Sequence, residues 1–101
     1  LKQTSQSITA DGSTTTAVNV TTAVTEINAT SATHTCAMAD GSDGQVKIIL
    51  NTSTSGTNAV TITPANFTNT SITLNAKGES VICIFKASKW YVIGGNGFAI
   101  A

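Results

Sequence analysis

Residues 78–95, GESVICIFKASKWYVIGG, carry the densest apolar signal in the chain. Ser80 to Phe85 is a run rich in β-branched and aromatic side chains. Lys86-Ala87-Ser88-Lys89 is a polar break, and Trp90 to Ile93 is a second apolar run closed by Gly94-Gly95. This pattern predicts a β-hairpin. Side chains alternate in direction along a strand, so Val81, Cys83 and Phe85 share one face while Ile82 and Ile84 share the other. The returning strand divides Trp90 and Val92 from Tyr91 and Ile93. Both faces of the hairpin are apolar and both need cover, which puts it in the centre of a sandwich or at a contact between subunits.

The rest of the composition also describes a sheet protein. Val and Ile together number 17 against 3 Leu, and Thr alone contributes 19 of 101 residues. Branching at Cβ costs rotamer freedom in a helix and suits a pleated surface. No i, i+3, i+4, i+7 apolar spacing persists beyond two turns, so the chain is expected to be all-β. Its length suits one domain, residues 1–101, burying roughly 65% of the unfolded chain's surface.

Turn residues punctuate the chain at Asp11-Gly12-Ser13, at Asp40-Gly41-Ser42-Asp43-Gly44, across 52–58, and at Asn75-Ala76-Lys77-Gly78. Residues 1–7 are polar and read as an extended arm able to grip a neighbour. Strands are expected at 8–10, 15–20, 24–29, 33–39, 45–51, 59–63 and 71–74, ahead of the hairpin. Pro64 stops the sixth because it offers no N–H to a ladder. Along 33–39, His34, Cys36 and Met38 share one face. Along 45–51, Val46, Ile48 and Leu50 are expected to face the core, with Lys47 and Ile49 facing outwards or towards a partner. Roughly eight to ten short strands at regular spacing predict an antiparallel β-sandwich or jelly-roll-like domain. No fixed-period repeat is present, which argues against a solenoid. Phe98 and Ile100 stand in the last four residues, and burying two such side chains is worth about 3–5 kcal/mol. The tail is therefore expected to add a strand to its own sheet or to pack on a neighbouring subunit.

Charged residues are 10% of the chain, the formal net charge is zero and there is no Arg. The five lysines are scattered, whereas a nucleic-acid binder clusters cations to neutralise phosphates. No apolar run approaches the roughly 20 residues of a membrane-spanning helix. Near-zero charge also removes repulsion between copies, which favours packing in an assembly.

No catalytic, metal-binding or cofactor-binding residues emerge. His34, the only histidine, reads as a structural residue, partly exposed or hydrogen-bonded, and no second His/Cys pair completes a zinc site. Asp40, Ser42 and Asp43 fit a tight turn better than a calcium loop, lacking the distal Glu. Asp11, Glu26, Asp40, Asp43 and Glu79 sit apart and build no triad with His34 and a serine, so an enzyme is not expected. Cys36 and Cys83 each lie in an apolar run and read as small core residues, while spacing leaves a disulfide between them open. Rows such as Thr33/Thr35 and Thr61/Thr63 raise ice binding, but flat Thr arrays of that kind normally come from a solenoid. Trp90 and Tyr91 suit a sugar platform less well than a core or interface, since their run is apolar on both sides.

From Ala39 onward, ADGSDGQVKIIL (39–50), AVTITPANF (59–67) and ITLNAKGESVICIF with KWYVIGGNG (72–97) resemble structural domains of tailed bacteriophages, especially marine and cyanobacterial ones. The resemblance covers about 60 residues and implies β-rich homo-oligomers, often trimers, without catalytic residues. It implies a virion protein at the particle surface, first a capsid decoration (cement) protein bridging neighbouring capsid subunits. The alternative is a tail-fibre module or a glycan-binding adhesion domain. Trp90, Tyr91, Phe98 and Ile100 are the residues expected to make packing or subunit contacts.

Overall fold

The computed structural model describes residues 2–11, 16–31 and 33–101. The expected turn at 11–13, the start of the strand expected at 15–20 and the first residue of the arm fall wholly or partly outside them. The described residues form ten strands and no helix: β1 (Ser5–Ala10), β2 (Thr16–Val18), β3 (Val24–Ala29), β4 (Thr33–Met38), β5 (Val46–Asn51), β6 (Ala59–Pro64), β7 (Ile72–Leu74), β8 (Ser80–Lys86), β9 (Lys89–Asn96) and β10 (Ala99–Ile100). They build two five-stranded sheets. The first runs β1-β3-β5-β8-β9 and the second β10-β7-β6-β4-β2.

The all-β sandwich is as expected, but its pairing is mixed rather than antiparallel throughout. Strands β1, β3 and β5 are mutually parallel in the first sheet, as are β2, β4 and β6 in the second. Parallel neighbours need a crossover, and here the strand of the opposite sheet supplies it. The chain thus winds three times round the core before β7 to β10 close it with antiparallel pairs. The sequence has no fixed-period repeat, and the winding is correspondingly irregular. The turns have no common length: Ser5 lies opposite Val24 and Val24 opposite Ile48, steps of 19 and 24 residues. In the second sheet Thr16 lies opposite Cys36 and Cys36 opposite Ile62, steps of 20 and 26.

The core lies between the sheets. Ile27, Ile49, Val81 and Cys83 enter from the first and Cys36, Val60, Ile62, Ile72 and Leu74 from the second, all fully buried. Trp90 closes one end, donating from Nε1 to the Ala39 carbonyl at 2.9 Å with its ring edge-on to Phe85. Gly41 lies so close that a Cβ there would sit 2.9 Å from the indole. A polar tie crosses between the sheets at the end of β5. Buried Asn51 donates from Nδ2 to the carbonyls of Asn58 (2.9 Å) and Leu74 (3.0 Å) and accepts from Ser53 N–H (3.0 Å).

The hairpin turns at Ala87 and Ser88, with φ of 53° and 65°. Two positive φ values make it the mirror-image turn whose twist matches the flanking strands, in a sequence lacking the usual Asn-Gly. The tail does add a strand to its own sheet: β10 pairs with β7, and Ala101 N–H donates to Ser71 O at 3.0 Å. At the other end β1 reaches back to Ser5, and the Thr4 carbonyl accepts from Ala23 and Val24 N–H. Residues 5–7 of the expected arm therefore belong to the sheet of their own chain.

One assignment of faces is reversed. Lys47 and Ile49 point into the core and Val46, Ile48 and Leu50 point out. Alternation is satisfied either way when both sets are apolar enough. Pairing with β8 decides, because Lys47 and Ile49 stand opposite Cys83 and Val81.

Candidate functional site

The ionisable groups are dispersed. Asp40 accepts from Asn66 Nδ2, Glu26 from the Ser7 hydroxyl and Glu79 from Asn75 N–H. Asp43 pairs with Lys86 at 2.7 Å on the surface, and that hydrogen bond holds its carboxyl below the usual range. Among the described residues no three His, Cys, Asp or Glu side chains gather as a metal site. His34 is buried rather than partly exposed, and its Nε2 has no hydrogen-bond partner. Cys36 and Cys83 are free and buried in the core, and burial pushes both thiols up, Cys83 to about 12. Both are core residues, and neither is poised as a thiolate.

Lys47 is the unexpected internal charge. Its stem runs through the core, and Nζ donates to Thr22 O (2.8 Å), Thr22 Oγ1 (3.0 Å) and Asn19 Oδ1 (3.2 Å). These oxygens hold the 19–23 crossover against the first sheet, and Gln45 Nε2 adds a bond to Val20 O at 2.7 Å. Burial without a carboxylate partner brings the ammonium down to about 8.

The surface best suited to binding is the outer face of the first sheet. Register lays it out in rows: Val46, Ile84 and Tyr91 in one, Val24, Ile48, Ile82 and Gly94 in the next, and Glu26, Leu50 and Ser80 in a third. A register shift between Ile82 and Cys83 leaves Ile93 extra on β9, 58% exposed. Val46 and Tyr91 are also exposed, at 43% and 38%. No further layer of the described chain packs over these rows. The hairpin thus has its inner face in the core and its outer face uncovered. A face with no charge in the first two of these rows is unusual for a sheet turned to water, which ordinarily alternates apolar in and polar out.

The second sheet's outer face differs in kind. Thr35, Thr61, Thr73 and Ala99 form one row, and Ala17, Ala37 and Thr63 the next, again without a charge. The Thr61 and Thr73 hydroxyls lie 3.4 Å apart.

Of the residues singled out in the sequence, Tyr91 stands on the uncovered face. Trp90 is wholly buried in its own chain and has no surface to offer a partner. Phe98 packs partly buried against the core, and Ile100 is 41% exposed on β10, the edge strand of the second sheet. The contributions of Val24, Val46, Ile48 and Leu50 were not legible, because only strand pairing brings three separate segments into one surface.

Comparison of the chain with known protein families, characterised proteins and solved structures returns no match.

Proposed function

We propose that this chain is a virion structural domain that works by packing, in the first instance a capsid decoration protein bridging neighbouring subunits of a shell. The observation that carries the reading is the apolar outer face of the first sheet, uncharged across its Val46-Ile84-Tyr91 and Val24-Ile48-Ile82 rows, which a small neutral domain gains stability by covering. The resemblance of residues 39–97 to phage structural domains supplies the setting, with self-association, as a homotrimer, and capsid protein as partners. Each contact in such a lattice is weak, and many copies acting together stabilise the shell. A tail-fibre module uses the same face in the same manner. The test is proteomics of density-purified particles from the source of this sequence. Peptides of this chain should band with intact particles in many copies per particle, and their confinement to soluble fractions would refute the reading. A glycan array with the isolated domain separates packing from adhesion, since a cement protein binds nothing there.

The Thr and Ala rows on the second sheet favour a second reading, ordering of water at an ice surface. Flat Thr arrays normally come from a repeating solenoid; here the chain winds round its core in turns of unequal length, and strand register alone aligns the rows. Thermal hysteresis lost in Thr61→Lys would support it; none at millimolar protein would exclude it.

A further inference from the structure

We infer that the outer face of the first sheet is covered by the same face of other copies of this chain, sheet against sheet. This rests on the reading of that face as an interface and names its occupant. The two central rows, Val46-Ile84-Tyr91 and Val24-Ile48-Ile82, contain no charge, so a partner selected by charge has nothing to recognise there. The complementary surface must be apolar and neutral, and this chain carries one. Copies do not repel, since the net charge is zero.

The area is adequate. The exposed parts of the apolar side chains sum to on the order of 500 Å², the upper range of the largest patch on a monomer. A rim that includes Ser7, Glu26, Ser80 and Lys86 widens it towards the roughly 800 Å² per partner of a specific interface. The width suits closure too. Four strands at about 4.8 Å span about 19 Å, which sets three such sheets about 5–6 Å from a threefold axis. That is about half the 10 Å separation of two stacked sheets. Two copies face to face or three around an axis bury the same side chains. Stacking on the second sheet's outer face of another copy is disfavoured, because the hydroxyls of Thr35, Thr61 and Thr73 would be stripped of water without new partners.

Analytical ultracentrifugation of the full chain tests this. The wild type should sediment as two or three chains at tens of micromolar, with little change on adding salt, since no charge pair is at the centre. Ile48→Lys and Ile82→Lys should each weaken association at least tenfold, and Ile82→Thr should do so more mildly, with circular dichroism and melting close to wild type. Thr61→Lys should leave the mass unchanged. A wild type monomeric at hundreds of micromolar would overturn the inference, as would association abolished by Thr61→Lys and untouched by the Ile variants. Recovery of a monomeric chain on purified particles would overturn self-pairing while leaving the virion reading intact.

Discussion

Raising the pH from about 7.5 to about 9 should stabilise this protein, and Lys47→Met should remove the effect. Lys47 is fully buried, its ammonium meets three neutral oxygens and no carboxylate, and its affinity for a proton falls from the ordinary 10.5 to about 8. The unfolded chain binds the proton more tightly than the folded one between those values, so stability rises with pH across that window. The folded state carries the desolvation cost in full below about 8. Each unit of separation corresponds to about 1.4 kcal/mol, so the gain reaches about 1.4 kcal/mol by pH 9 and about 3 kcal/mol if Lys47 acted alone to higher pH. It does not act alone. The unfolded Cys36 and Cys83 thiols begin to ionise near 9, while the folded thiols hold their protons, Cys83 to about 12. That difference has the opposite sign and takes stability away as pH climbs past 9. Urea unfolding at fixed ionic strength should therefore show wild-type stability rising to a maximum near pH 9 and then falling. Lys47→Met should show no rise, and should fall more steeply than the wild type between about 9 and 10.5, where Lys47 still offsets part of the thiol loss. A wild-type profile flat from 7.5 to 9, or an equal rise in Lys47→Met, would refute the assignment of a cationic Lys47 in the core.

Asn51→Ala removes the tie between the sheets and leaves the Asn58 and Leu74 carbonyls unpaired, so equilibrium unfolding should show a loss of about 2–4 kcal/mol. Gly41→Ala forces the indole aside and strains its bond to Ala39, costing about 1–3 kcal/mol, with a red shift in the emission of the single tryptophan. Replacing Ala87-Ser88 by Asn-Gly relieves two left-handed residues and should stabilise by about 1 kcal/mol, read as a higher melting temperature. Cys36 and Cys83 should resist a thiol reagent in the native state and react promptly in denaturant.

Branched side chains, punctuating Gly and Asp residues and local alternation were enough to set out nearly every strand, the hairpin and the burial of Cys36 and Cys83, because those signals act over a few neighbouring residues. Which face of β5 is the core could not follow from alternation, since Val46-Ile48-Leu50 and Ile49 with the long stem of Lys47 are both apolar enough to be buried. It took β8, thirty-odd residues downstream, and the oxygens of Asn19 and Thr22 to choose. The winding of the chain was hidden for the same reason: parallel pairing joins residues 19 to 26 apart, and crossovers of unequal length leave no period to find. The uncovered apolar face is likewise a property of register, assembled from β3, β5, β8 and β9, none of which carries it alone. Short-range patterning specified the strands, and only long-range pairing decided which side of each strand meets the core and which is left for a partner.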